Sequence, residues 1–139
     1  MRIGLILLLT GMVFHSQVMG QELETESGPV EVIAIWIYAD WCDECEQSED
    51  TFDELREDWH QENTYFRKFD MSDSFTRTGA REFAELMGLK EVFEEYETEP
   101  GTFILVDAPA REVMKTYEAD FGYTEVDEEI RARLEADEE

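Results

Sequence analysis

Residues 30–45 read Val-Glu-Val-Ile-Ala-Ile-Trp-Ile-Tyr-Ala-Asp-Trp-Cys-Asp-Glu-Cys. The run from Val30 to Ala39 is nearly all apolar and rich in β-branched and aromatic side chains, which is typical of a strand buried on both faces of a sheet. Cys42 and Cys45 follow it almost at once. A buried strand that leads directly into a Cys-x-x-C pair is the feature from which we predict both fold and function.

The residues after the cysteines have a helical pattern. Cys45, Phe52, Leu55 and Trp59 recur at spacings of seven, three and four with acidic residues between them, which predicts one apolar stripe on a helix of about five turns. Cys42 then lies at the helix start, where free N–H groups and the helix dipole stabilise a thiolate. Cys45 follows one turn later, close enough to form a disulfide with Cys42.

This placement predicts a redox pair, in which Cys42 attacks a disulfide and Cys45 resolves the mixed disulfide. Trp41, immediately before the pair, is expected to shield one side of it from water. The alternative is a static disulfide. Because so short a loop removes little chain entropy, such a bridge stabilises a fold only weakly, and the redox role is favoured.

The rest of the chain predicts an α/β order, β-α-β-α-β-β-α, with a short extra helix at residues 89–96. Strands are predicted at residues 65–71, 102–106 and 113–117, with a loop at 72–77 and a turn at 107–110. A helix at residues 81–88 is expected to bury Phe83, Leu86 and Met87. The last helix is expected to begin with a capping box at residues 124–127 and to carry Val126, Ile130 and Leu134 on one face.

The N-terminal residues are predicted to be a targeting segment. Arg2 precedes an apolar run of about twelve residues, and small residues stand before a cleavage point after Gly20, as in a secretory signal peptide. The apolar run is too short to span a bilayer comfortably. We therefore expect a signal peptide at residues 1–20, a flexible lead-in at 21–29, a domain at 30–139, and export to the periplasm or the medium.

The charge of the chain is strongly acidic. Asp and Glu number 36 against 11 Lys and Arg, which gives a formal net charge of −25. Nucleic acid is excluded as a partner because binding phosphates requires clustered basic residues. The acidic residues are spread along the whole chain, as in proteins of salt-adapted organisms, where they maintain solubility.

Metal binding has little support in the sequence. The segment after Gly20 contains one histidine, His60, and two cysteines, too few for a four-ligand zinc site. Met71, Met87 and Met114 are interpreted as core residues rather than as copper ligands. We predict neither a metal nor a cofactor.

The segment Tyr38-Ala-Asp-Trp-Cys42-x-x-Cys45, followed by Glu49-Asp-Thr-Phe52, resembles the thioredoxin superfamily. It is similar to the exported thioredoxin domain of DsbD-type thiol reductases and to single-domain thioredoxin-like proteins. The resemblance extends over residues 30–134, through Thr102-Phe-Ile-Leu-Val-Asp107 and Gly122. It implies a thioredoxin fold with a central mixed sheet of about four strands flanked by helices. It further implies a thiol–disulfide oxidoreductase whose nucleophile is Cys42 and whose resolving thiol is Cys45.

The sequence departs from the family pattern at three places. The residues between the cysteines are Asp43 and Glu44 rather than Gly-Pro, and Trp36 stands where thioredoxin has a buried acid. A water or another carboxylate must then accept the proton of Cys45. The family's cis-proline corresponds either to Pro100, which we favour slightly, or to Gly101. By resemblance, client proteins would contact Trp41, Pro100, Gly101 and Thr102.

The direction of the reaction is predicted from charge. Asp40, Asp43, Glu44 and Glu46 disfavour a thiolate at Cys42, which favours the disulfide and makes the dithiol a better reductant. We expect a monomer that reduces protein disulfides and exchanges electrons with a separate thiol partner. A non-catalytic binding module or a metallochaperone on the same scaffold is the alternative.

Overall fold

The computed structural model describes residues 23–25 and 27–138. Within these residues, the strands and helices occur in the order β1 (Glu24–Thr25), β2 (Gly28–Pro29), β3 (Val32–Tyr38), α1 (Asp43–Trp59), β4 (Thr64–Asp70), α2 (Ser74–Leu86), α3 (Lys90–Tyr96), β5 (Phe103–Asp107), β6 (Glu112–Tyr117) and α4 (Tyr123–Asp137). No helix in these ranges is long and apolar enough to cross a membrane.

Strand β3 lies inside a four-stranded sheet of order β4-β3-β5-β6. It pairs in parallel with β4 and antiparallel with β5, while β6 pairs antiparallel with β5. The apolar run that begins at Val30 is therefore covered by strands on both sides and by helices on both faces. The predicted mixed sheet of about four strands is confirmed.

The side chains of β3 alternate between two cores. Ile33, Ile35 and Ile37 pack with residues of α2 and α3 on one face. Val32, Ala34 and Trp36 pack on the other face with residues of α1 and α4, Cys45 among them. This alternation follows from the two-residue period of a strand, and it explains why a nearly unbroken apolar run is needed here.

The predicted loop at residues 72–77 is wrong from Ser74 onward, because α2 begins there. Asp73 is the N-cap: its carboxylate accepts hydrogen bonds from the backbone N–H groups of Phe75 and Thr76, and the Thr76 side chain completes a capping box. These bonds hold the pKa of Asp73 below its usual value. Leu86, predicted to point inward, is 73% exposed, and Ala80 and Ala84 form the buried stripe instead.

The start of the last helix also differs from the prediction. Gly122 is the N-cap of α4 and no side chain caps the helix, so the capping box predicted at residues 124–127 is wrong. Asp127 instead accepts a hydrogen bond from Trp59 Nε1 at 2.9 Å, which links α4 to α1. Val126 and Ile130 are buried and Leu134 packs against the same core, as predicted.

Residues before the sheet form a small hairpin. β1 and β2 pair antiparallel, and the backbone N–H of Val30 donates to the carbonyl oxygen of Leu23 at 2.8 Å. The described part of the predicted lead-in is thus hydrogen-bonded structure. The predicted signal peptide, residues 1–20, lies outside the described residues.

Candidate active site

Cys42 and Cys45 form a disulfide at the start of α1, with their Cα atoms 5.3 Å apart. Cys45 is completely buried in the core beneath α1, whereas Cys42 is half-buried and contacts the cores on both faces of the sheet. An approaching thiol or disulfide therefore meets the sulfur of Cys42 first. Cys42 is thus the less buried residue of the pair.

Cys42 is the N-cap residue of α1, with extended backbone angles (φ −94°, ψ 101°). Its Sγ accepts a hydrogen bond from the backbone N–H of Cys45 at 3.3 Å. Side chains at this position meet the unpaired N–H groups of the first helical turn. The same contact would stabilise negative charge on Sγ once the disulfide is reduced.

The outer surface of the disulfide is aromatic and acidic. Trp41 is 61% exposed, so it is open to a partner molecule beside Cys42. Asp40 precedes it and is exposed, as are the carboxylates of the first helical turn, Asp43, Glu44 and Glu46. The acidic surroundings expected from the sequence are therefore present.

Trp36 lies in the same buried core as Cys45, where thioredoxin has an acid. Its ring centroid is 5.1 Å from that of Phe52 and 5.3 Å from that of Tyr38. Within the described part of the chain, its Nε1–H is buried without a hydrogen-bond acceptor. An indole replaces the carboxyl group here and cannot accept a proton from Cys45.

A half-buried ion pair lies beside that indole. Lys68 of β4 is 5.1 Å from the Trp36 ring centroid and 4.5 Å from the Tyr38 ring centroid. Its Nζ is 2.8 Å from Oε1 of Glu49. Glu49 follows Cys45 by one helical turn, so both side chains lie on adjacent positions of one face of α1. Sequence analysis did not single out this pair, although the one-turn spacing from Cys45 was visible.

The segment Pro100-Gly101-Thr102 leads into β5 and differs in backbone conformation from the expected cis-proline. All peptide bonds of the described residues are trans, so the slight preference for Pro100 as a cis-proline is corrected. Gly101 directly precedes Thr102, is buried, and has a φ of +101° that side chains disfavour. The backbone N–H of Gly101 donates to the carbonyl oxygen of Ile37 at 2.7 Å, and the backbone N–H of Ile37 donates to the carbonyl oxygen of Thr102 at 2.9 Å. Gly101 and Thr102 thereby extend the pairing of β5 with β3 toward the site.

Gly101 is also held against the loop that precedes α4. A Cβ added at Gly101 would lie 2.7 Å from Cβ of Ala119, and the carbonyl oxygen of Ala119 accepts a hydrogen bond from Ser48 Oγ. Ser48 is buried on α1, three residues after Cys45. These contacts bring Gly101, Ala119 and the first turns of α1 together, an arrangement that the sequence did not predict.

The described residues contain no group of three or more His, Cys, Asp or Glu side chains placed to hold a metal ion. Met71 and Met87 are buried in the core and Met114 packs against it, as expected of core residues.

Comparison with known proteins identifies the fold of the chain. No family model matches the sequence, and no curated protein matches it. Among solved structures, thioredoxin-2, described as a component of malaria parasite protein secretion machinery, is 17% identical, with 81% of this chain and 96% of that chain covered and a TM-score of 0.52. A thioredoxin-family thiol:disulfide interchange protein from Chlorobium tepidum TLS is 14% identical, with 82% and 92% covered and a TM-score of 0.53. StoA from Bacillus subtilis is 14% identical, with 78% and 93% covered and a TM-score of 0.50. These likenesses show a thioredoxin fold.

Proposed function

We propose that this thioredoxin-fold protein is an exported thiol–disulfide oxidoreductase that reduces protein disulfides through Cys42 and Cys45. The observation that carries the proposal is the asymmetry of the pair. Cys42 is accessible and caps α1, whereas Cys45 is fully buried behind it. A purely structural disulfide does not require its less buried cysteine to cap a helix N-terminus.

The reaction begins with the reduced protein. The Cys42 thiolate attacks one sulfur of the client disulfide, forms a mixed disulfide and releases the other client sulfur as a thiolate, which takes up a proton. N–H groups of the first turn of α1 stabilise the thiolate before attack. Trp41, Gly101 and Thr102 are the residues proposed to contact the client segment, with Pro100 at the edge of that contact.

Resolution follows within the protein. The Cys45 thiolate attacks Sγ of Cys42, which re-forms the Cys42–Cys45 disulfide and releases the second client thiol. Two electrons have then passed from the dithiol to the client. A separate dithiol protein must supply two electrons to begin the next cycle.

Because Trp36 cannot accept a proton, another group must accept the proton of Cys45. Glu49 is the carboxylate that α1 itself offers, one turn after Cys45 and half-buried beside Trp36 and Lys68. Helical side chains lean toward the N-terminus of their helix, which favours an approach of the Glu49 carboxylate to the turn that holds Cys45. We assign it the role of proton acceptor, directly or through one water.

Export is part of the proposal. It rests on the signal-like residues 1–20 of the sequence, and an exported compartment is compatible with the disulfide that the pair forms. Cleavage after Gly20 would leave Gln21 as the first residue, which N-terminal sequencing of the exported protein can verify.

The function is tested by exchanging each cysteine for serine and measuring the reduction of insulin disulfides with dithiothreitol as electron donor. The wild-type protein should accelerate the reaction, and Cys42→Ser should return it to background. Cys45→Ser should instead accumulate a covalent complex with insulin that dithiothreitol releases. Near-UV circular dichroism verifies that each variant is folded.

A wild-type rate equal to background would contradict the enzyme assignment. Failure of folded Cys45→Ser to capture any insulin chain would do the same. In either case the thioredoxin fold would serve as a binding module.

A further inference from the structure

Two large aromatic side chains are exposed at the end of the sheet that carries the disulfide. Trp41 is 61% exposed and Phe75 is 86% exposed. Trp41 follows β3 and Phe75 follows β4, and these neighbouring strands are parallel. Their carboxyl ends therefore meet at one edge of the sheet, and both aromatic residues emerge there.

Hydrogen bonds hold the two loops together. The backbone N–H of Asp40 donates to Ser72 Oγ at 2.8 Å, and the backbone N–H of Ser72 donates to Asp70 Oδ1 at 2.9 Å. The N–H of Met71 donates to the carbonyl oxygen of Tyr38 at 2.7 Å. These bonds hold the backbones of the two loops that carry Trp41 and Phe75 beside each other, at the end of the sheet where Cys42 lies.

The charge around Trp41 and the first turn of α1 is acidic, and Arg77, whose guanidinium donates to the carbonyl oxygen of Met71 at 3.4 Å, is the basic residue on the Phe75 side. Asp40, Asp43, Glu44 and Glu46 are exposed, and none of them belongs to an ion pair within the described part of the chain. Glu49, one turn further along α1, is by contrast neutralised by Lys68. A client that approaches Cys42 therefore meets uncompensated negative charge next to exposed aromatic rings.

We infer that this end of the molecule selects client segments whose cysteine is flanked by basic residues and by an apolar side chain. The apolar side chain packs on Trp41 and Phe75, and Lys or Arg side chains lie opposite Asp43, Glu44 and their neighbours. Charge complementarity of this kind raises association rates and suppresses partners of like charge. The inference rests on the proposed function, because it names the class of substrate for the same cysteine pair.

The test uses two disulfide-linked peptides that differ only in the residues flanking the cysteine, Lys in one and Glu in the other. At low salt, kcat/KM for the Lys peptide should exceed that for the Glu peptide by about tenfold, the lower end of electrostatic steering. In about 1 M salt the Debye length falls to about 3 Å, and the ratio should approach one.

Variants separate the two parts of the surface. Asp43→Asn with Glu44→Gln should reduce the preference for the Lys peptide, whereas Glu128→Gln with Glu135→Gln on α4 should leave it unchanged.

Phe75→Ala should lower kcat/KM severalfold for a peptide with Leu beside its cysteine. Leu86→Ala, which truncates an exposed apolar side chain elsewhere on α2, should not.

Activity toward an uncharged small disulfide, hydroxyethyl disulfide, distinguishes failure of the inference from failure of the proposed function. If the protein reduces it but treats the Lys and Glu peptides alike, the inference is overturned and the proposed function stands. If the protein reduces neither the small disulfide nor the peptides, the proposed function fails and the inference fails with it.

Discussion

At the scale of single residues, Glu49 has the most specific proposed role. Replacing it by Gln keeps the size of the side chain but removes the proton acceptor. We expect the resolution step, attack of Cys45 on Cys42, to slow by about tenfold. This loss is smaller than is usual for a general base because the carboxylate is half exposed. The first attack by Cys42 should keep its rate, and stopped-flow measurement of the two phases separates the steps.

The matched control for Glu49 is Asp53→Asn. Asp53 lies one turn further along α1 and pairs with Arg56 at 3.1 Å, so its replacement also removes an ion pair from this helix. If both variants slow resolution equally, or if Glu49→Gln leaves it unchanged, Glu49 is not the acceptor.

Gly101 gives a second prediction at this scale. Gly101→Ala should destabilise the fold, because a φ of +101° costs a side chain about 1–3 kcal/mol and the new Cβ would lie 2.7 Å from Ala119 Cβ. Urea unfolding measures the free energy of unfolding. Adding Ala119→Gly should relieve the contact and recover only part of the loss.

Gly79→Ala is the control for this experiment. Gly79 is exposed within α2, and a Cβ there meets nothing within 4 Å, so the change should stabilise the protein by about 0.5–1 kcal/mol. Equal effects of the two substitutions would show that the backbone at Gly101 is not constrained.

The cysteine pair and its place at a helix start were predictable from local sequence, because the strand and the helix pattern are both continuous there. The backbone conformation of Pro100 and Gly101 was not predictable from local sequence. It depends on a positive φ at Gly101 and on the approach of Ala119, a residue 18 positions away in the chain. Such contacts leave no local pattern.

At the scale of elements, α1 and α4 are joined by a hydrogen bond that can be titrated. Tyr123 donates to Asp58 at 2.6 Å, and this bond raises the Tyr123 pKa to about 12. Because the protonated phenol is favoured in the folded state, the stabilisation is present below about pH 10, the usual tyrosine value. It is lost as the pH rises toward 12.

Absorbance titration of the five tyrosines tests this contact. The pKa values of Tyr96 and Tyr117 are also raised, chiefly by burial, so the test is the difference between two titrations: the wild-type protein should show one more tyrosine ionisation near pH 12 than Tyr123→Phe. The stability advantage of the wild type over Tyr123→Phe should vanish across the same range. If Tyr123→Phe titrates near pH 12 in the same way as the wild-type protein, the hydrogen bond between Tyr123 of α4 and Asp58 of α1 is not formed.

The helix starts that sequence patterns located poorly depend on particular hydrogen bonds. The start of α2 depends on the hydrogen bonds that the Asp73 carboxylate accepts from the backbone of the first helical turn. Residues 72–77 are mostly polar, and a polar stretch is equally compatible with a loop and with a helix start. The start of α4 at Gly122 leaves Asp127 free to bond Trp59, a contact across 68 positions. Strands β3 and β5 were located well because burial on both faces imposes an apolar run.

At the scale of the whole molecule, charge is the dominant property. The chain carries a formal net charge of −25, and the surface around Cys42 has the same sign. This field disfavours a thiolate and so makes the disulfide relatively more stable. Salt screens such fields over distances beyond the Debye length, so the redox balance of the pair should depend on ionic strength.

The reduction potential of the Cys42–Cys45 pair, measured against glutathione or dithiothreitol buffers at low and at molar salt, tests the central claim most directly. We predict a value near about −270 mV or lower at low salt, shifting upward as salt screens the carboxylates. Such a value means a reductant that a dedicated electron donor keeps reduced. A value near about −120 mV would mean an oxidant that inserts disulfides, and would contradict the account.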